Sequence, residues 1–486
     1  MKKRALALVL ALALVFVSGC NKPKEQETGG EGDNVKVSIS FWEPSTNKEM
    51  ETALKEITAN YTKLHPNVTF DLQNQPVAGY QDWLKARIAA DEAPTIQENH
   101  ANVLMDMYKN DYLLDFKDEF LKPNPYQNNT IWKDMFQEGR LEVVHSYSYE
   151  PSFAVPYSAL GLSYFYNKDL YAKLGIEEPK TWSEFMSNCE AIQADGVNPV
   201  AMMLMKGDAI NWFIWHIMTG LYANYFLSSP DLNPNGDIVI HEKELARAIK
   251  NGTHDITAGV ANEAVNKYLD YAEQLGKYAE GATGLDEAGA KAQFLAGTAG
   301  HIMSGSWDLK SFLSNKTFEV GAFSLPSFET GDSPYAGSNM KISATQAFGI
   351  TNSSKKSKAE LDAAVDFMKF FTASESYKTF VEVTYSIPVM VGLDVDPIFS
   401  TFIGGSNEPM EVVKSGQTSV TTLQSATSAA MSGRPYDRAK MIKEMQESAI
   451  EFAEMVMQRD NVSEADDYGV NDIPVQGKFE KTEPGQ

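Results

Sequence analysis

The chain has 486 residues, 43% of them apolar, and a formal charge of −23. That length and apolar content suffice for two or three domains with sizeable cores. A body this acidic is repelled by phosphate backbones, which argues against nucleic acid as a partner.

Lys2, Lys3 and Arg4 precede an apolar run from Ala5 to Val17. This is a secretory signal, too short for a membrane-spanning helix of about 20 residues. It ends in Val17-Ser18-Gly19-Cys20, which resembles the lipobox cut by lipoprotein signal peptidase. Residues 1–19 are then a lipoprotein signal peptide, and Cys20 is the lipidated first residue of the mature chain. Losing the three basic residues takes the charge to −26. Residues 20–34 continue as a polar tether without aliphatic or aromatic side chains, flexible and solvated. The acyl group is the membrane contact the sequence requires.

Val35, Val37, Ile39 and Phe41 alternate with polar residues, as in a strand. Thr46 to Glu49 has the capping-box pattern. Met50, Leu54, Ile57, Tyr61 and Leu64 then mark one helical face, ended by Pro66. Val68, Phe70 and Leu72 form a second strand, completing a strand–helix–strand unit of an α/β sheet. A second helix carries Tyr80, Trp83, Leu84 and Ile88. The stretch from Val155 is strand-rich. Thr181 to Glu184 is another capping box, and Gly196 is its helix stop. Trp182, Phe185, Cys189 and Ile192 share one face, so Cys189 reads as a buried thiol. With Cys20 lipidated, Cys189 has no partner for an internal disulfide.

Further helical faces carry Val265, Tyr268, Leu269, Ala272 and Leu275, and then Leu361, Val365, Met368 and Phe371. The last carries Met441, Met445, Phe452 and Met455, which read as core filler. The tail after Asp460 is polar and expected to pack poorly.

The sequence contains no Walker loop, HExxH, CxxC or GxSxG motif. Its seven histidines are scattered without metal-ligand spacing; His216 and His301 read as structural. No carboxylate pair is nominated for glycoside hydrolysis. Asp118 and Glu119 read as solvated surface. No catalytic residue, cofactor or metal site is expected.

The aromatic residues are placed more tellingly. Trp42 follows the first strand with Glu43 beside it. Trp212 and Trp215 follow Asp208 and Asn211. Trp307 follows His-Ile-Met-Ser-Gly-Ser and precedes Asp308. In open α/β sheets ligands bind beyond the carboxyl ends of strands. An indole with a carboxylate alongside suits a sugar, whose C–H face stacks while its hydroxyls are hydrogen-bonded. Gly305, before Trp307, is expected to let backbone approach a ligand closely.

VPYSALGLSYFYNKDLYAKLGIEEPKTWSEF, AQFLAGTAGHIMSGSWDL, VGAFSLP and AVDFMKFFTASESYKTF…YSIPV together resemble the family 1 extracellular solute-binding proteins. These are carbohydrate receptors of ABC importers and include maltose-binding protein. The resemblance implies an α/β, two-lobe, periplasmic-binding-protein-like fold with crossing hinge strands and a ligand cleft between the lobes. It places lobe 1 at 35–156 and 324–386, and lobe 2 at 157–323 and 387–486. It implies ligand contacts from Trp307, Trp212, Trp42, Glu43, Asn99 and Tyr157, with Asp308 as a hydroxyl acceptor. Arg434 and Tyr436 lie in a loop that could reach the cleft. The implied protein is a monomer, not an enzyme. It is lipid-anchored on the extracellular face of a bacterial membrane and delivers a carbohydrate ligand to ABC permease subunits. Two alternatives remain open: a receptor for a polyamine, peptide or glycerol phosphate, and a surface glycoside-active enzyme.

Overall fold

The computed structural model describes residues 34–43, 48–137, 140–141, 153–204, 207–236, 240–336, 343–394, 396–402 and 417–473. The signal segment, Cys20, the tether up to residue 33, Thr46 and Asn47 of the first capping box, and the side chain of Asp208 lie outside the described residues.

Eight described strands form one sheet: β1 Val35–Glu43, β2 Val68–Pro76, β3 Ile96–His100, β4 Val155–Asn167, β5 Asn198–Ala201, β6 Ala299–Gly305, β7 Val320–Ser324 and β8 Ser343–Ile350. Their order is β2-β1-β3-β8-β4-β6-β5, with β7 also pairing β4. The opening strand–helix–strand unit is the expected one, but its helix begins at Glu49 with Lys48 as N-cap, so Glu49 is not the third residue of a helix capped by Thr46. β1 and β2 pair in parallel across the helix Glu49–Leu64, whose Met50, Leu54, Ile57 and Tyr61 are buried. Leu64 is exposed, because a 3.6-residue period carries the stripe off the core by the last turn.

β4 organises the molecule. Its first half, Val155 to Gly161, pairs antiparallel with β8. From Leu162 onward it pairs with β6 and β7. The expected division at residues 156 and 157 therefore falls inside β4, whose partners change between Gly161 and Leu162. After β8 the helices Lys358–Phe371 and Ser374–Thr384 pack beside β1 and the helix Glu49–Leu64. The chain then passes Ala159 at Ile387 and reaches β7 through Pro397–Thr401. Two apolar cores result. One centres on β1, β3, β8 and the first half of β4, and extends under β6 and β7 through Phe294, Ile302 and Phe312. The other gathers the helices around Trp182, Tyr222 and Tyr268.

The second capping box is present in full between Thr181 and Glu184. Behind it Trp182, Phe185, Cys189 and Ile192 are buried, and burial pushes the Cys189 thiol far up. Met441, Met445 and Phe452 are core, but Met455 is half exposed and Val456 takes the buried position. The tail corrects the expectation of poor packing. Tyr468 and Val470 are buried, and Arg247 donates to Asp467 at 2.7 Å. Residues 474–486 lie outside the described residues.

Candidate ligand cleft

Two groups of the expected residues come together, one at each half of β4. The first is built on the end of β6. Gly305 pairs with Leu162, and the short turn Ser306–Asp308 follows at once. Trp307 is 36% exposed, so part of its indole is accessible to solvent. Its ring lies 5.3 Å, centroid to centroid, from that of Trp212, with the planes inclined at 56°. Trp212 comes from the helix Gly207–Ser228 and packs against both cores, so it stands at the seam between them. Beside it, Gln424 donates to the Asn211 side chain at 2.7 Å.

Gly305 has a different use from the one expected. A β-carbon there would lie 2.1 Å from a ring carbon of Trp307. The glycine seats the indole over its own backbone and leaves no room there for a ligand. Asp308 is also not a free acceptor. It is buried, and its carboxylate takes hydrogen bonds from Lys291 at 2.7 Å and Ser304 at 2.5 Å. Burial raises its pKa, with Lys291 pulling the other way.

The second group sits at the ends of β1 and β3. The half-buried ring of Trp42 packs against Tyr80 at 4.9 Å and His100 at 5.3 Å. Glu43 points to the opposite side of the strand, as the two-residue period demands. There it caps the helix Glu49–Leu64, accepting from the backbone N–H groups of Met50 at 2.5 Å and Glu51 at 3.2 Å. Asn74 adds a third bond. Asn99 is buried and exchanges amide hydrogen bonds with Gln81 at 2.9 and 3.2 Å. Tyr157 is buried, stacks on Phe348 at 4.6 Å, and donates to Glu98.

Glu98 escaped the sequence reading. It is 1% exposed, and burial raises its pKa to about 7 despite hydrogen bonds from Tyr157 and the Trp42 backbone. The signal for it was a run of polar residues, Gln97-Glu98-Asn99-His100, that closes an interior strand and opens a helix at Ala101. Arg434 is elsewhere. Its guanidinium bonds Ser432 and Ser428, and it lines a surface depression with Glu273, Lys277 and Tyr436 that includes none of the three tryptophans. Among the described residues no cluster of three or more His, Cys, Asp or Glu could hold a metal.

The chain matches the model of the family described as bacterial extracellular solute-binding protein over residues 44–378. A curated relative, the multiple sugar-binding protein of Streptococcus mutans, is 24% identical over 405 residues, covering 81% of this chain and 84% of that protein. Among solved structures, RafE in complex with raffinose aligns with a TM-score of 0.62 at 19% identity, over 86% of this chain and all of that one. Maltose-bound MalE3 of T. maritima aligns with a TM-score of 0.62 at 18% identity, over 85% and 99%. At these identities the structural matches establish the two-lobe fold.

Proposed function

This chain belongs to the bacterial extracellular solute-binding proteins, and from that premise we propose that it captures a sugar or oligosaccharide and hands it to the permease of an ABC importer. The observation that carries the sugar reading is the state of the charges around the rings. Glu43, Glu98 and Asp308 each have their carboxylates taken up by protein donors. Lys291 is paired with Asp308 and Glu287. Among the described residues, what remains is the part-exposed ring of Trp307 against Trp212 with an amide pair beside it, which suits a neutral polyhydroxyl ligand. A polyamine needs unspent carboxylates, and a phosphate needs unspent cations. The same occupancy speaks against glycoside hydrolysis, which needs two available carboxyl groups.

The names of relatives point the same way, since the Streptococcus mutans protein is a multiple sugar-binding protein. Ligand contact with both lobes favours the closed state, and that differential affinity drives closure. We place lobe 1 at 35–156 with 324–386 and lobe 2 at 157–323 with 387–486, joined near the point where β4 changes partners.

The test is thermal denaturation of the purified protein with raffinose, maltotriose, chitobiose, spermidine and glycerol phosphate. A sugar at about 100 times its dissociation constant adds about 2.7 kcal/mol. A shift with spermidine or glycerol phosphate alone refutes the sugar reading. We also propose that Cys20 is acylated and begins the mature, monomeric, membrane-anchored protein. Mass spectrometry of the membrane fraction should find an N-terminal lipidated Cys20 peptide. An unmodified N-terminus at another residue contradicts it.

A further inference from the structure

We propose that Glu98 is a positioning residue, tying the Trp42 wall of the cleft to the two chain segments on which the lobes hinge. The inference rests on the cleft reading above.

Glu98 is too deeply buried to touch a ligand. One carboxylate oxygen accepts the backbone N–H of Trp42 at 3.1 Å. The other accepts the hydroxyl of Tyr157 at 2.5 Å. β1 and β4 are not neighbours in the sheet; β3 and β8 lie between them, so this one side chain links strands that share no ladder hydrogen bonds. Tyr157 is placed for the task by an irregularity. The β4–β8 register jumps from Pro156 to Ser158, leaving Tyr157 without a cross-strand partner, and such a bulge re-aims a side chain. The link continues past it. The Tyr157 carbonyl accepts the Tyr377 hydroxyl at 2.6 Å, and that oxygen accepts the N–H of Val389 at 2.9 Å. Val389 lies in the returning segment, between Ile387, which bridges Ala159, and Met390, which bridges Phe136. A continuous line of hydrogen bonds thus runs from Trp42 to β4 and to the return crossing.

Two donors converge on the side chain, one on each oxygen, and an ionised glutamate accepts both; a glutamine can keep the Trp42 N–H only by turning its NH2 group toward the Tyr157 hydroxyl, which must then accept instead of donate. The titratable groups around it are Glu43 from β1, Tyr80 from the helix Tyr80–Ala89, Tyr157 from β4 and Tyr377 behind it. His100, at the end of β3 itself, packs on Trp42, and β8 contributes the apolar Phe348. Burial lifts the Glu98 pKa to about 7, the Tyr157 and Trp42 hydrogen bonds lower it, and Glu43 raises it. The bridge therefore changes protonation near neutrality.

The test uses the full chain without ligand. Hydrogen exchange of Glu98→Gln should rise at least tenfold in peptides containing Trp42, Ser158–Gly161 and Ile387–Met390. The helices Gly259–Gly276 and Arg438–Asp460 should keep wild-type protection. The emission of Trp42, taken as wild type minus Trp42→Phe, should titrate with a midpoint near 7. That transition should vanish in Glu98→Gln, persist in His100→Gln, and move to higher pH in Tyr157→Phe, where a bond favouring the ionised form is gone. A uniform rise in exchange, no rise at all, or an unchanged midpoint in Glu98→Gln overturns the proposal. If no sugar binds the wild type while these results hold, the sugar reading fails, and the link from Trp42 through Glu98 to the crossing segments stands.

Discussion

Trp307→Ala should weaken sugar binding about thirtyfold or more and leave the fold intact, while Trp182→Ala should do the reverse. Trp307 presents its ring to solvent beside Trp212, and little of the core depends on it. Truncating a stacked aromatic at a binding hot spot commonly costs about 2 kcal/mol, which is roughly thirtyfold in affinity. Trp182 is 2% exposed. It stacks on Phe328 at 5.6 Å, touches Phe185 and Phe213, and donates its indole N–H to Gln274 at 2.8 Å. Removing it empties a core site and strands that acceptor, at a cost of about 3–5 kcal/mol. Gly305→Ala supplies an independent check. Its methyl group occupies the place of the Trp307 ring, so it should displace the indole without deleting it and reproduce part of the affinity loss. Calorimetry with the sugar identified by thermal shift, together with urea unfolding, measures all three. Normal binding by Trp307→Ala, or its unfolding, would show that the ring belongs to the core.

The fold was legible where a local rule and burial agree. The strand–helix–strand start and the Thr181 capping box follow from period and capping chemistry alone, and tertiary packing did not override either. In the candidate site the structure brings Trp307 and Trp212 side by side, but it gives the charged residues other partners than the sequence suggested. Glu43 and Asp308 were expected to meet hydroxyl groups because each adjoins a tryptophan. Adjacency in a strand instead sends the next side chain to the other face, where Glu43 finds the orphan N–H groups of a helix. Asp308 is claimed by Lys291 across a distance in sequence that no local pattern encodes. Glu98 was passed over for the opposite reason. A buried charge at the end of an interior strand contradicts the hydrophobic pattern used to find strands, and only the converging donors of Trp42 and Tyr157 explain it. Arg434 depended on how a loop between two helices folds back, and it bonds Ser432 beside it and Ser428 in the last turn of the preceding helix.

Acidification from pH 8 to pH 5 should destabilise the helical core, with the Glu98 side of the molecule responding with the opposite sign. His216, His254 and His301 are buried, and burial lowers each pKa to about 4. One nitrogen of His216 and one of His254 has no hydrogen-bond partner to favour the charged ring. The folded state therefore binds fewer protons than the unfolded chain, whose histidines titrate near 6.5. This stability is present above that value and is lost as the pH falls toward 4. At pH 5 each histidine costs about 2 kcal/mol, together about 6. Glu98 acts the other way. Its folded pKa of about 7 lies above the ordinary 4.5, so the folded state gains protons first and stability rises as the pH falls through that window. Its contribution has the opposite sign, one group against three histidines. The histidines pack on Trp182, Phe226 and Phe323 of the helical core, whereas Glu98 holds Tyr157, which stacks on Phe348 in the other. Acid should therefore loosen the helical core first, and urea unfolding should separate into two transitions at pH 5 that merge at pH 8. Replacing His254 with Gln should recover about a third of the histidine loss. Equal stability at the two pH values would mean that these rings are not held neutral in the folded protein.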